Sequence, residues 1–84
     1  MSSPLWSTHR LRVTTEADPG ALARVLQYFQ NLNVLPRKVS AELATTDQFH
    51  IEVDLTGMSE EMVGIVTAKI GQAPPVVRAH WVRL

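Results

Sequence analysis

Three groups of residues in this chain carry chemistry that a functional site could use: three histidines, two carboxylates spaced two apart, and a proline-glycine turn at the mouth of a helix. His9, His50 and His80 would hold a metal only by converging on one face. Alternation along the strands forbids it. His9 is in phase with the inward-pointing Leu11 and Val13, whereas His50 is out of phase with Phe49, Ile51 and Val53 and points outward. Outward His50 and His80 together supply two imidazoles, which do not complete a site, so no metal ligand is expected and all three histidines read as surface residues. Glu52 and Asp54 share one strand face and read as solvated surface, because no serine or cysteine stands beside a base able to activate it. No catalytic residue is expected. The third group is Glu16-Ala17-Asp18-Pro19-Gly20-Ala21-Leu22. A helix N-terminus presents unpaired N–H groups and about half a positive charge, and Gly20 removes the side chain that would block an approaching carboxylate. Asp18 can also cap those same N–H groups, so the residues fit both an anion cradle and a plain capped turn.

The frame that positions these groups is small. Eighty-four residues make one domain, and a chain of this size buries only about 60 to 65 % of the surface its unfolded form exposes. Association with a partner is therefore expected. The 45 % apolar content argues against disorder. Eight basic and eight acidic side chains cancel, without runs of either sign. That removes the electrostatic footprint of a nucleic-acid or anionic-membrane binder. The lack of cysteine excludes disulfides, thiolate zinc sites and cysteine nucleophiles, and it fits a reducing compartment. Met1 to Trp6 has neither a basic start nor a long apolar core, and no segment approaches the roughly eighteen apolar residues of a membrane span. The expectation is a soluble, cytoplasmic chain, with residues 1–6 a flexible tail and residues 7–84 a single domain.

Ser7 to Thr15 alternates as a half-buried strand. Asp18 is expected to cap the following helix, with Pro19 at its first position, where a missing N–H is harmless. Leu22, Val25, Leu26, Phe29 and Leu32 then form one apolar stripe, and Asn33 can take the left-handed conformation that ends it. Leu35 to Ala44 reads as a second strand with Val39, Ala41 and Leu43 on one side, and Pro36 near its start marks an edge. Thr45-Thr46-Asp47 turns the chain into a hairpin with Gln48 to Leu55. Ser59 caps a second helix with Glu60 and Glu61 in its first turn. Met62, Val63, Val66 and Ile70 should line its buried side, and Gly71 should close it. After Pro74-Pro75, Val76 to Leu84 forms a last strand whose two faces are mixed. The order β-α-β-β-α-β predicts an α+β, ferredoxin-like fold: an antiparallel four-stranded sheet with two helices on one face. One sheet face and two edges are left open.

The junction from Val13 to Val25 resembles the ACT domain, whose first turn reads x-x-x-Pro-Gly-x-Leu ahead of a helix. More narrowly, residues 8 to 83 are similar to the short small subunits of acetohydroxyacid (acetolactate) synthase. Pro19 to Leu26 matches their Pro-x-x-Leu-x-Arg-Val-Leu helix start, and Ile51 to Leu55 matches an Ile-x-x-x-Leu strand. Val77-Arg78-Ala79-His80-Trp81-Val82 echoes their closing Val-Ala-His-Val strand. The resemblance implies a regulatory or accessory subunit, without catalysis or cofactor of its own. Such a chain activates or stabilises the large, thiamine-dependent catalytic subunit of acetolactate synthase in branched-chain amino-acid biosynthesis. It also implies a homodimer joined edge to edge, and allosteric control by an amino-acid effector held at the Pro-Gly loop. Ala17, Asp18, Pro19, Gly20, Ala21 and Leu22 are the candidate effector-binding residues on that basis. One position departs from the pattern. Effector-responsive subunits carry an asparagine two residues before the proline, where this chain has Ala17. Losing such a hydrogen bond to a charged group costs roughly 1.5 to 3 kcal/mol, so weak or absent valine binding is expected.

The fold also serves enzymes, RNA binders and metal carriers. An acylphosphatase-like enzyme would need an arginine and an asparagine at the first loop, but Arg24 and Asn31 fall on the helix. RNA stacking would need outward aromatic residues, where the third strand offers His50, Glu52 and Asp54. A metal carrier would need a Cys-x-x-Cys. Leu35, Val39 and Trp81 are candidate interface residues, because large apolar and aromatic side chains supply rigid contact area. Trp6 is a further candidate, and Trp81 reads equally well as core. Two other functions remain in play: a free-standing ACT-type sensor binding a small effector at a dimer interface, and a ferredoxin-like interaction module with no ligand.

Overall fold

The computed structural model describes residues 7–84; the expected tail and Trp6 lie outside the described residues. Strand β1 (Thr8–Glu16) runs through the middle of a four-stranded sheet, between β3 (Gln48–Thr56) and β4 (Val76–Arg83). Strand β2 (Lys38–Leu43) pairs with the far side of β3, giving the order β2-β3-β1-β4 with every neighbour antiparallel. This is the ferredoxin-like arrangement that the alternation predicts. The register sets Leu11 opposite Val53 and Val13 opposite Ile51, so one face of β1 and β3 is continuously apolar. Helices α1 (Ala21–Asn31) and α2 (Glu60–Gly71) close that face, α1 with Val25 and Phe29 and α2 with Val66 and Ile70.

The two faces of β4 are separable once its register is known. Trp81 lies opposite Leu11 and Ala79 opposite Val13, so both point toward the helices. An irregularity between Thr14 and Thr15 then brings Val76 opposite Thr15. A slip of this kind breaks the period-two pattern, which is why Val76 and Val77 together obscure the alternation.

Helix α1 starts two residues later than the sequence suggests. Asp18 is not its N-cap; that position is Gly20, which makes no side-chain capping bond. The Ala21 N–H instead donates to the Asp18 carbonyl at 3.0 Å. Gly20, at φ −87° and ψ −4°, occupies the third position of a type I turn whose second residue is Pro19. Aspartate followed by proline suits that turn as well as it suits a cap, and the turn wins here. At the other end Asn33 does take the left-handed conformation, with φ 58°. Its N–H donates to the Gln30 carbonyl at 3.0 Å, and the Val34 N–H donates to the Phe29 carbonyl at 2.9 Å. This pair of bonds closes a helix in a Schellman motif.

Helix α2 begins as expected: the Ser59 hydroxyl accepts the Met62 N–H at 3.2 Å. Its buried side is turned slightly from the expected one. Met62 is 37 % exposed, and Thr67 is buried instead, its hydroxyl donating to the Val63 carbonyl at 2.7 Å. Gly71 is the last helical residue and Gln72 the cap. Strand β2 is an edge, as Pro36 implies, but it is shorter than the expected Leu35–Ala44. Val39, Ala41 and Leu43 do face the helix side, opposite Val53, Ile51 and Phe49, yet neither helix covers them. Val39 is 37 % exposed, Leu43 65 % and Leu35, just before the strand, 91 %.

The left-handed residue gives a direct test. Asn33→Ala should lower stability by about 1 to 2 kcal/mol, the penalty of a Cβ in that conformation, while Asn33→Gly should be neutral or stabilising. Urea unfolding of the three proteins decides it. Equal losses in both variants would contradict the assigned geometry.

Candidate functional site

The Pro-Gly loop lies where β1 passes into α1, and its backbone donors are already taken. The Glu16 N–H donates to the Pro75 carbonyl at 3.0 Å, that of Ala17 to Asp47 at 3.1 Å and that of Asp18 to Glu16 at 2.8 Å. The Gly20 N–H donates to the Asp18 carboxylate at 2.7 Å, and Ala21 donates to the Asp18 carbonyl. Pro19 has no donor. Every N–H from Glu16 to Ala21 thus has an internal partner, and Leu22 and Ala23 supply the remaining first-turn donors. Glu16, Asp18 and Asp47 stand around this loop, so an effector carboxylate approaching the Leu22 and Ala23 donors would meet negative charge. A Cβ at Gly20 would come within 3.3 Å of the Asp18 carboxylate oxygen, so the glycine permits the closure. Of the candidate effector residues, Ala17 to Gly20 form a turn whose N–H groups have internal partners, and Ala21 and Leu22 open helix α1.

The histidines separate as their phases require. His50 and His80 share the open sheet face, with β1 between their strands. His9 is on the helix side and only 1 % exposed, which corrects its reading as a surface residue. It meets Trp81 edge to face, with ring centroids 5.5 Å apart and planes at 71°. Its Nε2 lies 3.4 Å from Glu60 Oε1, a carboxylate that Arg83 also pairs with, and its buried Nδ1 has no partner. Burial pushes the His9 pKa below its ordinary value, and the nearby Arg83 charge adds to that. Trp81 therefore packs on the core, roofed by α2 near Gly64.

The outer face is an ion-pair lattice. Arg10 donates to both Asp54 oxygens, at 2.8 and 3.1 Å, and Arg12 lies 3.3 Å from Glu52. The Arg10 hydrogen bonds hold the Asp54 carboxyl below its usual range, helped by the charges of Lys38 and Arg37. The candidate interface residues Leu35 and Val39 border a groove of about 530 Å³ between α1 and β2, floored by Leu26, Phe29 and Val34. Among the described residues no cluster of three metal-ligating side chains occurs, and no helix is long and apolar enough to cross a membrane.

Residues 5–83 match a family model described as an ACT-like domain. No curated protein matches the sequence. Among solved structures, the fold is similar to the C-terminal domain of the MgtC protein from Mycobacterium tuberculosis, with TM-score 0.76 and 17 % identity over 100 % of this chain and 94 % of that one. It is similar to the ACT domain from GTP pyrophosphokinase of Chlorobium tepidum, with TM-score 0.75 and 11 % identity over 89 % and 96 %. The uncharacterized protein TM1266 from Thermotoga maritima gives TM-score 0.71 and 19 % identity over 92 % and 95 %. At such identities the likeness establishes the fold.

The buried histidine makes stability depend on pH. Its folded pKa is below the unfolded value near 6.5, so the folded protein binds fewer protons. Its contribution is complete above the unfolded pKa and is lost as pH falls from there through the folded pKa. Urea unfolding at pH 7.5 and pH 5.5 should show lower stability at the acid pH. His9→Phe, which keeps the ring against Trp81, should flatten that difference. An undiminished slope in the variant would remove His9 as its source.

Proposed function

This chain belongs to the ACT-like domain family, and on that premise we propose that it is a non-catalytic accessory subunit that acts by assembly rather than by sensing an amino acid. ACT domains commonly dimerise and bind amino acids. Here the uncovered apolar border of Leu35, Val39 and Leu43 is the observation that carries the assembly reading. Burying apolar surface is worth about 25 cal/mol per Å², and edge strand β2 beside that border has backbone groups free to pair with a second copy. The closed loop supports the other half of the reading. An amino-acid carboxylate would find the Gly20 N–H already held by Asp18, acidic side chains around the loop, and Ala17 where an asparagine side chain would otherwise help.

The partner follows from the similarity of residues 8 to 83 to short acetolactate synthase small subunits. We assign the large catalytic subunit of that synthase as the chain it activates or stabilises, in branched-chain amino-acid biosynthesis within the cytoplasm. Leu35 and Val39 then serve homodimer pairing, and Trp81 supports the core beneath α2. A free-standing sensor is the alternative, and the two readings differ in a simple measurement. A ligand at a hundredfold excess over its dissociation constant stabilises by about 2.7 kcal/mol, a shift of several degrees in a domain this small.

Millimolar valine, leucine or isoleucine should leave the melting temperature unchanged, whereas adding the chain to the purified large subunit should raise its synthase activity. Val39→Asp with Leu43→Asp should abolish that activation while leaving the chain folded. A shift of several degrees with one amino acid, together with no effect on the synthase, would establish the sensor instead.

A further inference from the structure

Helix α2 is apolar on both of its sides. Val63, Val66 and Ile70 are buried against the sheet, while Met62, Ile65 and Ala68 are exposed on the opposite side, Ile65 at 43 %. An ordinary surface helix carries polar residues there. Helix α1 does so: its exposed positions are Ala23, Arg24, Gln27, Gln30 and Asn31. Both helices cover the same sheet, so packing within the domain does not account for the outer side of α2. Leu32, Val34 and Met58 extend the apolar surface beside the first turn, where they border a shallow cleft with Met62.

The charges on this outer side identify what covers it. Glu61 and Lys69 stand four residues before and four after Ile65, and neither is ion-paired among the described residues. Glu60, the other charge of the helix, is turned to the sheet, where Arg83 and His9 hold it. The one charged residue of α1, Arg24, borders the Ala73–Pro74 turn, past the end of α2. The outer side of α2 is therefore neutral and becomes its own complement when reversed. A second α2 laid antiparallel sets each Glu61 beside the partner's Lys69 and Ile65 beside the partner's Ile65.

Helix geometry permits that contact. Glu61, Ile65 and Lys69 form one ridge of i±4 spacing, about 12 Å long, and Gly64 and Ala68 beside it form a low row. Two such ridges run side by side, each along the other's low row, when the helices cross about 50° from antiparallel. We propose that α2 is a self-pairing surface on which a second copy of this chain docks its own α2 in reverse. Met62, Ile65 and Ala68 form the centre, and a Glu61–Lys69 pair closes each end. Three turns of helix fall short of the roughly 1,200 Å² of a stable interface, so the contact is made twice. Two β2-paired dimers stacked helix layer on helix layer form both contacts, the second at the high effective concentration set by the first. The product is a closed tetramer. The tetramer rests on the β2 pairing proposed above; the α2 contact itself does not.

Sedimentation of the chain over a dilution series should show a tetramer passing to a dimer. Ile65→Asp should leave the dimer alone, at half the mass. Glu61→Lys and Lys69→Glu should each move the midpoint to about tenfold higher concentration or more, because like charges then meet at both ends. The chain carrying both substitutions should recover the wild-type midpoint. Mere weakening of the helix would not be repaired by that reversal, and melting curves check that each variant is folded. Val39→Asp with Leu43→Asp should leave a weak α2-joined pair. If that variant keeps the wild-type mass, the β2 pairing fails while the α2 contact stands on Ile65→Asp. A mass that Ile65→Asp does not lower, or a double variant no better than the single ones, would overturn the proposal. Loss of synthase activation in Ile65→Asp with an unchanged mass would also overturn it, giving this side of α2 to the large subunit instead.

Discussion

The constraint on which this structure turns is that two helices of 11 and 12 residues serve a sheet of four strands, and one strand is left without cover. The helices close over β1 and β3, where Leu11, Val13, Ile51, Val53 and Leu55 are all buried. Every residue of β2 is exposed. An edge strand with free backbone groups and an apolar border is a liability for an isolated chain, and pairing removes it. In a domain this small, where stability is a thin margin between large terms, a second copy would supply apolar burial that the chain cannot supply to itself.

The same economy shapes the Pro-Gly loop. Asp18 turns its carboxylate back onto the Gly20 N–H, and the carbonyls of Asp47 and Pro75, in the loops before β3 and β4, accept the N–H groups of Ala17 and Glu16.

Much of this was legible in the sequence, and the exceptions have physical reasons. Alternation in β1 and β3 is regular, so strand identity, the inward phase of His9 and the outward phase of His50 could all be read directly. Asn33 announced the end of α1, because few other residues tolerate a left-handed conformation. The start of α1 was ambiguous because Asp18-Pro19-Gly20 suits both a cap and a type I turn. The faces of β4 were hidden by the slip opposite Thr14 and Thr15. The contact of His9 with Glu60 joins residues 51 positions apart, and no local pattern carries it. Exposure of Val39 and Leu43 was equally hidden, since their spacing reports which side they face and not whether anything lies above them.

Hydrogen exchange measured over a dilution series tests the central claim most directly. If the chain works by assembly along β2, amides of Lys38 to Leu43 should be protected at high protein concentration and should exchange rapidly on dilution. The loop amides of Ala17 and Gly20 should stay protected throughout and should not respond to amino acids. Protection of β2 that ignores concentration, together with loop amides that become protected only when an amino acid is added, would contradict the account and mark the loop as a sensor.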